Sequence, residues 1–395
     1  MSKKTPQIRF KSFTDDWEER KLNEVAIFYN GQRIPIDSSL RKQGEYPYYG
    51  ATGIIDYVED YIFDGEFVLL AEDGANITMR NSPIAYLTQG KFWLNNHAHI
   101  MAMKDGSNNF LVQLLEKQNY EKYNSGTAQP KLNSQVVKSL NFLFPTKEEQ
   151  KKIGSFFKQI DDTIVLHQRK LDLLKEQKKG FLQKMFPKNG AKIPELRFEG
   201  FSDDWEERKL SSGLREYTDR VIVEDDKEYY QISVRNNFGG ITLRGSKMGN
   251  KIGRKRQAKI NLTKYPQTLV FTRQTVEQGG IGWVDKYCDG AIVTENMPTI
   301  SLDTSVFSKY FLTNLFQTRI FYKNAILDNI EGGSAQIAIH ESKFLSSTLL
   351  FPNLDEQEKI GQFFKQLDDT IDLHQRKLDL LKEQKKGFLQ KMFVS

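Results

Sequence analysis

Residues Pro145 to Phe186 read PTKEEQKKIGSFFKQIDDTIVLHQRKLDLLKEQKKGFLQKMF, and Pro352 to Phe393 repeat them with 35 of 42 positions identical, 207 residues further on. A shorter repeat opens each half of the chain. Pro6 to Leu22 reads PQIRFKSFTDDWEERKL, and Pro194 to Leu210 reads PELRFEGFSDDWEERKL, with 12 of 17 positions identical. Self-similarity of this kind is the signature of a duplicated architecture. The chain therefore consists of two divergent segments, each opened by one shared motif and closed by another.

The closing motif has the period of a long helix. Its apolar residues alternate in steps of four and three along one seam, which only His167 and Lys178 interrupt, and this spacing is typical of a coiled coil. Prolines stand just before and after the stretch. About 38 residues at 1.5 Å each make a helix of roughly 57 Å, from Glu148 to Met185. The seam consists of Ile153, Phe157, Ile160, Ile164, Leu171, Leu174, Phe181 and Met185.

An apolar seam of this length needs a partner, and the chain carries a second copy from Asp355 to Met392. We expect the two helices to pack against each other in an antiparallel coiled coil, which would place the divergent segments at opposite ends. Two alternatives remain open. Each helix could cap only its own domain, or the helices could drive homodimerisation.

Composition excludes several classes of protein. The 395 residues are 38% hydrophobic and 27% charged, which suits folded domains, and at roughly 100 to 200 residues per domain they predict two or three of them. No apolar run approaches a membrane span and the first residues lack the core of a signal peptide, so we expect a cytoplasmic protein. A single cysteine, Cys288, excludes an intramolecular disulfide, and the five histidines are not spaced like a zinc site.

The divergent segments have an α+β pattern. Short β-branched and aromatic runs such as YIFDGEFVLLA and TLVFTR are separated by Gly, Asn and Asp, as in strands joined by turns. The net charge of +6 is mild, but Phe238 to Val276 contains nine Lys or Arg residues and no acidic one. A one-sided basic stretch favours contact with nucleic acid over a merely solvated face, which would usually mix the two signs.

Motifs of catalysis are absent. The sequence contains no phosphate-binding G-x-x-x-x-G-K-[ST], no strand-linked G-x-G-x-x-G and no Asn-Pro-Pro-aromatic tetrapeptide. His97 and His99 alternate on a predicted strand without ligand partners, so a structural pair or a DNA contact is favoured over catalysis or metal binding. The acidic pairs Asp15-Asp16 and Asp203-Asp204 are interpreted as caps or turns. The chain resembles a device that holds two reading domains apart.

The motifs F-x-x-F-x-D-D-W-E-x-x-K-L, G-[ST]-A-Q and P-x-x-x-E-Q-x-x-I, each present twice, resemble those of the specificity subunit of type I restriction-modification systems, over nearly the whole chain. The resemblance implies two pseudo-repeated α+β target-recognition domains joined by two long helices that form an antiparallel coiled coil. Its boundaries would be residues 1–145 for the first recognition domain, 146–190 for the central helical region, 191–351 for the second domain and 352–395 for the C-terminal helical region.

The resemblance also implies a function. Each recognition domain would bind one half of a bipartite site in double-stranded DNA, and the coiled coil would set the unread spacer. Two methylation subunits that bind S-adenosylmethionine would dock on the chain and methylate an adenine in each half-site. Two restriction subunits would complete the nuclease. The chain itself would be non-catalytic and would hold no cofactor or metal.

Residues that can reach phosphates or base edges are the candidates for DNA contact, with tyrosines for shape or methyl contacts. In the first domain these are Arg33, Arg41, Lys42, Tyr48, Tyr49, Arg80, Lys91, Asn95 and Asn96. In the second they are Arg235, Asn236, Asn237, Arg244, Lys247, Lys251, Arg254, Arg256, Arg273 and Gln274.

Half-sites one helical turn apart on DNA are separated by roughly 34 to 36 Å, which a helix of this length can bridge. Adding four residues to both helices is expected to lengthen the tolerated spacer while leaving both half-sites unchanged. The alternative function is a duplicated protein-interaction scaffold without sequence-specific DNA binding.

Overall fold

The computed structural model describes residues 4–126, 129–188, 190–253, 257–329 and 338–394. The chain forms two compact units. Unit 1 consists of Met1–Arg169 with His374–Ser395, and unit 2 consists of Lys170–Leu373. Each long helix contributes one part to unit 1 and the other part to unit 2. Among the described residues, no helix has both the length and the apolar character needed to cross a bilayer.

Within its described residues, unit 1 contains ten strands and four short α-helices in addition to parts of the two long helices. The strands are β1 Glu18–Lys21, β2 Ala26–Phe28, β3 Gln43–Gly50, β4 Gly53–Val58, β5 Phe63–Asp64, β6 Phe67–Ala71, β7 Ala85–Thr88, β8 Lys91–Leu94, β9 Ala98–Met103 and β10 Asn141–Phe144. The helices are α1 Leu22–Val25, α2 Asn76–Met79, α3 Asn108–Lys117, α4 Ser134–Lys138 and the long helix α5 Lys147–Lys184.

Two four-stranded sheets form the body of unit 1, in the orders β2-β9-β6-β7 and β4-β3-β8-β5. Helix α3 buries Phe110, Leu111 and Leu115 in the main core together with residues of the first sheet. The predicted α+β character is therefore confirmed for this unit.

Unit 2 is built in the same way. Its strands are β11 Glu206–Lys209, β12 Leu214–Tyr217, β13 Asp219–Arg220, β14 Glu228–Val234, β15 Ile241–Met248, β16 Ala258–Lys259, β17 Thr268–Phe271, β18 Ile281–Trp283, β19 Ile292–Val293, β20 Thr299–Leu302 and β21 Thr348–Phe351. Its helices are α6 Lys309–Leu315, α7 Arg319–Phe321, which a π-helical turn Tyr322–Ile326 continues, α8 Glu341–Ser346 and the long helix α9 Leu354–Met392. The larger sheets have the orders β12-β20-β17-β18 and β13-β16-β19-β14-β15.

The shared opening motif forms the same structure in both units. Strand β1 pairs antiparallel with β10, and β11 pairs with β21, with Glu18 opposite Phe144 and Glu206 opposite Phe351. The tryptophan of the motif is 1% exposed in each unit and lies in the main core. The WEERKL repeat is thus explained by packing, since it joins the start of each unit to the strand that leads into a long helix.

A buried ion pair holds the opening motif to the long helix. Arg9 donates two hydrogen bonds of 2.7 Å to Glu149, and Arg197 does the same to Glu356. Both glutamate side chains are fully buried. The two units therefore share one electrostatic anchor, in which a bidentate guanidinium satisfies a carboxylate that has no access to water.

The long helices pair antiparallel within each unit, as the heptad seam predicts. In unit 1, Phe156 packs against Phe388 with ring centroids 5.0 Å apart, and the histidine that interrupts the seam, His167, meets His374 with 2.9 Å between the two Nδ1 atoms. In unit 2, Phe181 packs against Phe363, and the lysine interruption forms a 2.7 Å ion pair with Asp368. Both polar interruptions of the seam are therefore matched by the partner helix.

Candidate nucleic-acid interface

The second sheet of unit 1 carries a hairpin at its edge. Strands β3 and β4 form this first edge hairpin, residues 43–58, and β8 runs parallel to β3 on its other side, with Tyr48 opposite Trp93. Phe63, Phe92 and Leu94 form a small core with the other sheet. The hairpin thus has one strand anchored in the sheet and one at the edge.

The second sheet of unit 2 carries a matching hairpin. Strands β14 and β15 form this second edge hairpin, residues 228–248, and β19 runs parallel to β14 with Gln231 opposite Ile292. Ile232, Ile241 and Val293 belong to a small core under the sheet. The two divergent segments therefore use one framework, an antiparallel edge hairpin supported by a parallel strand.

Each hairpin contains a β-bulge on its outer strand. In the first, Tyr48 lies opposite Asp56 and Tyr49 lies opposite Ile54, so Ile55 between them is unpaired. A bulge inserts one residue that the partner strand does not match, and such residues are found where a side chain is re-aimed. Both tyrosines also pair with the parallel strand β8.

The bulge of the second hairpin occurs at the corresponding point. Gln231 lies opposite Gly245 and Ile232 lies opposite Leu243, so Arg244 is the unpaired residue. Gly245 follows it with a φ of 114°, a conformation that favours glycine. Gln231 is again the residue that pairs with the parallel strand.

In the part of the chain that the structure describes, four cations on or just after the second edge hairpin lack acidic partners. Four of the predicted DNA-contacting residues in this region are exposed, and none forms an ion pair with a residue that the structure describes. Tyr230, 58% exposed, lies on the inner strand of the same hairpin. The hairpin therefore offers uncompensated positive charge to a ligand. The four residues are Arg235, Arg244, Lys247 and Lys251.

The other predicted residues of unit 2 are engaged to different degrees. Arg273 forms a 2.6 Å ion pair with Glu341, and both side chains are more than four-fifths buried. Burial alone would raise the pKa of Glu341, but hydrogen bonds from its own backbone amide and from Arg273 lower that pKa overall. The side-chain amide of Asn236 donates to Gln278 at 2.7 Å.

The structure describes two of the four remaining predicted DNA-contacting residues of unit 2. Asn237 adopts a left-handed backbone conformation with a φ of 54°, beside Phe238 with 56°. Gln274 is exposed. Arg254 and Arg256 lie outside the described residues.

In unit 1, several predicted residues serve the fold. Arg33 donates to Glu72 at 2.6 Å and to the carbonyl of Ala98 at 2.8 Å. Tyr48 is 1% exposed, and its hydroxyl accepts a hydrogen bond from the backbone amide of Ile36. Asn95 is 5% exposed and accepts a bond from the amide of His97. These three side chains have little surface to present to DNA, because the α+β core and the loop beside β3 use them.

The remaining predicted residues of unit 1 mostly have intramolecular partners. Arg41 lies over the Tyr48 ring at 4.5 Å and is 3.3 Å from Asp56, while Lys91 lies over the Tyr61 ring at 4.5 Å. Lys42 forms an ion pair with Glu59 at 2.9 Å, and Arg80 forms one with Glu116. Tyr49 is half-buried against Tyr86 and Phe92, and Asn96 is exposed. Lys42, Lys91 and Asn96 are nevertheless exposed to solvent. The positive charge of unit 1 is thus more fully compensated than that of the second edge hairpin.

Sequence reasoning missed the apolar surface of the first edge hairpin. Ile54, Ile55 and Tyr57 are 47%, 48% and 45% exposed on strand β4. The available signal was the pair of consecutive isoleucines between Gly53 and Asp56, because a regular strand alternates its faces and would bury one of them. The predicted DNA contacts were mostly cationic and amide side chains, so these apolar residues were not among them.

The two histidines of strand β9 and its approach have different roles. His99 is fully buried; its Nε2 donates to the carbonyl of Leu132 at 2.9 Å, and its Nδ1 accepts from the side chain of Asn30 at 3.0 Å. Burial lowers the pKa of His99 and so favours the neutral ring, although the nearby Glu72 acts in the opposite direction. His97 is exposed and contacts Asp73 at 2.9 Å. Among the described residues, no group of three or more His, Cys, Asp or Glu could hold a metal ion.

The acidic pairs of the opening motifs lie near the arginine of the buried ion pair and contribute to raising its pKa. The hydrogen bond with Glu149 raises the pKa of Arg9 most strongly, and the charges of Asp15 and Asp16 add to that effect. Arg197 has the same relation to Asp203 and Asp204. This geometry favours a structural role for both acidic pairs.

Comparison with known proteins identifies the family. The sequence model described as the type I restriction modification DNA specificity domain matches residues 14–176 and 202–383. The chain belongs to this family. The two matches correspond to the two repeated halves of the sequence, and each begins within an opening motif and includes most of a long helix.

Relatives from other organisms agree with this family. A Haemophilus influenzae protein provisionally described as a type I restriction enzyme specificity subunit is 41% identical over 137 residues, which are 34% of this chain and 35% of that protein. The type I restriction enzyme MjaVIII specificity subunit of Methanocaldococcus jannaschii is 22% identical over 403 residues, covering 95% of this chain and 91% of that one.

A solved structure has the same fold. The type I restriction-modification S subunit from M. genitalium superposes with a TM-score of 0.70 at 13% sequence identity, covering 99% of each chain. At this identity the likeness concerns the fold alone. It supports two α+β domains with long helices as the architecture of this family member.

Proposed function

We propose that this family member is the non-catalytic subunit that recognises a bipartite DNA site, with unit 1 binding one half and unit 2 the other. The observation that carries the proposal is the pair of matched edge hairpins. They share strand order and bulge position, yet the outer strand of the first exposes Ile54, Ile55 and Tyr57, and the outer strand of the second exposes Arg244 and Lys247. A common frame with different exposed side chains suits two readers of different base sequences.

A two-stranded hairpin has the right dimensions for the task. The major groove of B-DNA, about 12 Å wide, admits a two-stranded β-ribbon, and each base pair presents a distinct pattern of donors, acceptors and methyl groups there. Lys247 and Lys251, exposed and without acidic partners among the described residues, suit phosphate contacts. Such contacts supply affinity that depends on salt and not on sequence.

Methylation is assigned to partner proteins. We propose that two methylation subunits, which carry S-adenosylmethionine, dock on the long helices and methylate one adenine in each half-site, and that two restriction subunits complete the nuclease. The helices offer repeated apolar positions for docking. Leu166 and Leu380 are 67% and 53% exposed in unit 1, and Leu173 and Leu373 are 52% and 50% exposed in unit 2. Two equivalent sets of exposed leucines support two docked copies.

A salt titration separates this proposal from a protein-interaction scaffold. The chain with its methylation subunits is titrated against a genomic fragment library and against shuffled duplexes. The salt concentration is varied from about 50 to about 200 mM, a range over which binding through phosphate contacts weakens strongly. We expect affinity to fall steeply with salt and one subset of fragments to be retained. Salt-independent binding without sequence preference would instead support the scaffold.

A further inference from the structure

We propose that the two bulge residues, Ile55 and Arg244, are the matched specificity-determining positions of the two half-sites. Ile55 would contact the methyl group of a thymine in one half, and Arg244 would hydrogen-bond to a guanine in the other. This inference rests on the proposed DNA recognition and adds the base chemistry at one position of each half-site.

Ile55 and Arg244 occupy the same position in the strand pairing of their hairpins, and not merely the same kind of hairpin. Ile55 is skipped next to the Tyr48–Asp56 pair, and Arg244 is skipped next to the Gln231–Gly245 pair. In both units the inner residue of that pair also bonds to the parallel strand. The supporting strand therefore fixes the bulge at the same point of the frame.

The bulge changes which side chains face outward. In a regular strand, neighbouring residues point to opposite faces, yet Ile54 and Ile55 are both nearly half exposed. Arg244 and the following Gly245 are likewise both exposed. In the first hairpin the bulge thus presents a side chain that regular pairing would turn toward the other face, and in the second the bulge residue Arg244 is exposed.

Arg244 is also available for a ligand. It forms no ion pair with any residue in the described part of unit 2, whereas Arg273 and Arg41 are occupied by carboxylates. An unpaired guanidinium can donate two parallel hydrogen bonds to the O6 and N7 atoms of guanine, which no other base offers. The branched apolar side chain of Ile55 can instead pack on the C5-methyl group that marks thymine in the major groove.

The test uses adenine-methylation mapping by long-read sequencing in hosts that carry the chain with its methylation subunits. Wild type is compared with the variants Arg244→Ala, Arg244→Gln and Ile55→Ala. We expect Arg244→Ala to lose the preference for guanine at one position of one half-site, by roughly 5- to 150-fold, and Arg244→Gln to shift that position toward adenine. Ile55→Ala is expected to relax one thymine in the other half-site.

Lys247→Ala is the matched control on the same strand. A phosphate contact carries no sequence information, so this variant is expected to reduce methylation at all sites equally and to leave the motif unchanged. Complex assembly and thermal denaturation are measured for every variant.

The outcomes separate the two proposals. A wild-type complex that yields no bipartite motif contradicts the proposed function itself. A wild-type motif that survives all three bulge variants unchanged overturns only the inference about the bulges. Complete loss of methylation by folded Arg244→Ala and Arg244→Gln complexes also overturns it, because Arg244 would then position the whole unit and not one base pair.

Discussion

The bidentate pair of arginine and glutamate is the residue-level feature that both units share. Glu149 and Glu356 have no exposed surface, so each depends on one guanidinium for its compensation. Breaking such a pair leaves a buried charge without a partner, whereas an exposed pair contributes little.

Arg9→Ala is therefore expected to destabilise unit 1 by about 3 to 5 kcal/mol. The control is Arg20→Ala, which removes an exposed pair with Glu24 and is expected to cost less than about 1 kcal/mol. Urea denaturation of the full chain measures both. Equal losses for the two variants would contradict the role of the buried anchor.

His99 gives unit 1 a dependence on pH. Because burial lowers its pKa in the folded state, the unfolded chain takes up a proton first as pH falls. Stability is therefore expected to decrease as pH falls through about 6.5, the ordinary histidine value. His99→Gln should flatten the curve of unfolding free energy against pH between about 7.5 and 5. An unchanged curve for His99→Gln would refute this explanation.

At the scale of secondary-structure elements, the long helices were the most predictable part of the chain. The predicted range Glu148 to Met185 is observed as Lys147–Lys184, and Asp355 to Met392 as Leu354–Met392. Heptad spacing determines both the helix and its apolar face, so few alternatives remained. The bulges of the edge hairpins depend on pairing between strands, which sequence alone does not specify.

The candidate site was less predictable for the same reason. Tyr48 and Asn95 have residue types common in DNA interfaces, yet both are buried. Ile55 is exposed although its type favours burial. Residue type gives the chemistry available, whereas exposure follows from strand register.

Two glycines of helix α5 allow a test of this element. A Cβ at Gly180 would meet nothing within 4 Å, so Gly180→Ala is expected to stabilise the chain by about 0.5 to 1 kcal/mol. A Cβ at Gly154 would lie 2.8 Å from the backbone nitrogen of Phe110, so Gly154→Ala is expected to destabilise unit 1. Thermal denaturation compares the two variants, and a gain in stability from Gly154→Ala would contradict the close packing of α5 on α3.

At the scale of the whole molecule, we propose that the paired long helices set the spacer of the DNA site, as the family resemblance implies. The seam repeats every seven residues, so inserting one heptad into both helices keeps its register. Four residues in each helix would also lengthen the pair, but an insertion of that size locally changes the winding of a coiled coil. Seven residues add about 10 Å, or roughly three base pairs of DNA.

A chain with one extra heptad after Arg169 and another before His374 is expected to methylate sites with a longer spacer and unchanged half-sites. A matched chain with the heptad in only one helix should no longer support methylation in the complex, because the apolar seams of the two helices then differ in length and cannot pack along their whole extent. A changed half-site sequence in the double insertion would show that the helices influence base recognition directly.

The most direct measurement of the central claim is long-read mapping of methylated adenines in a host that carries the wild-type chain with its methylation subunits. Recognition by two different units predicts a single motif with two unlike half-sites, one methylated adenine in each, and a run of unspecified bases between them. A continuous motif, or two identical half-sites, would contradict the account.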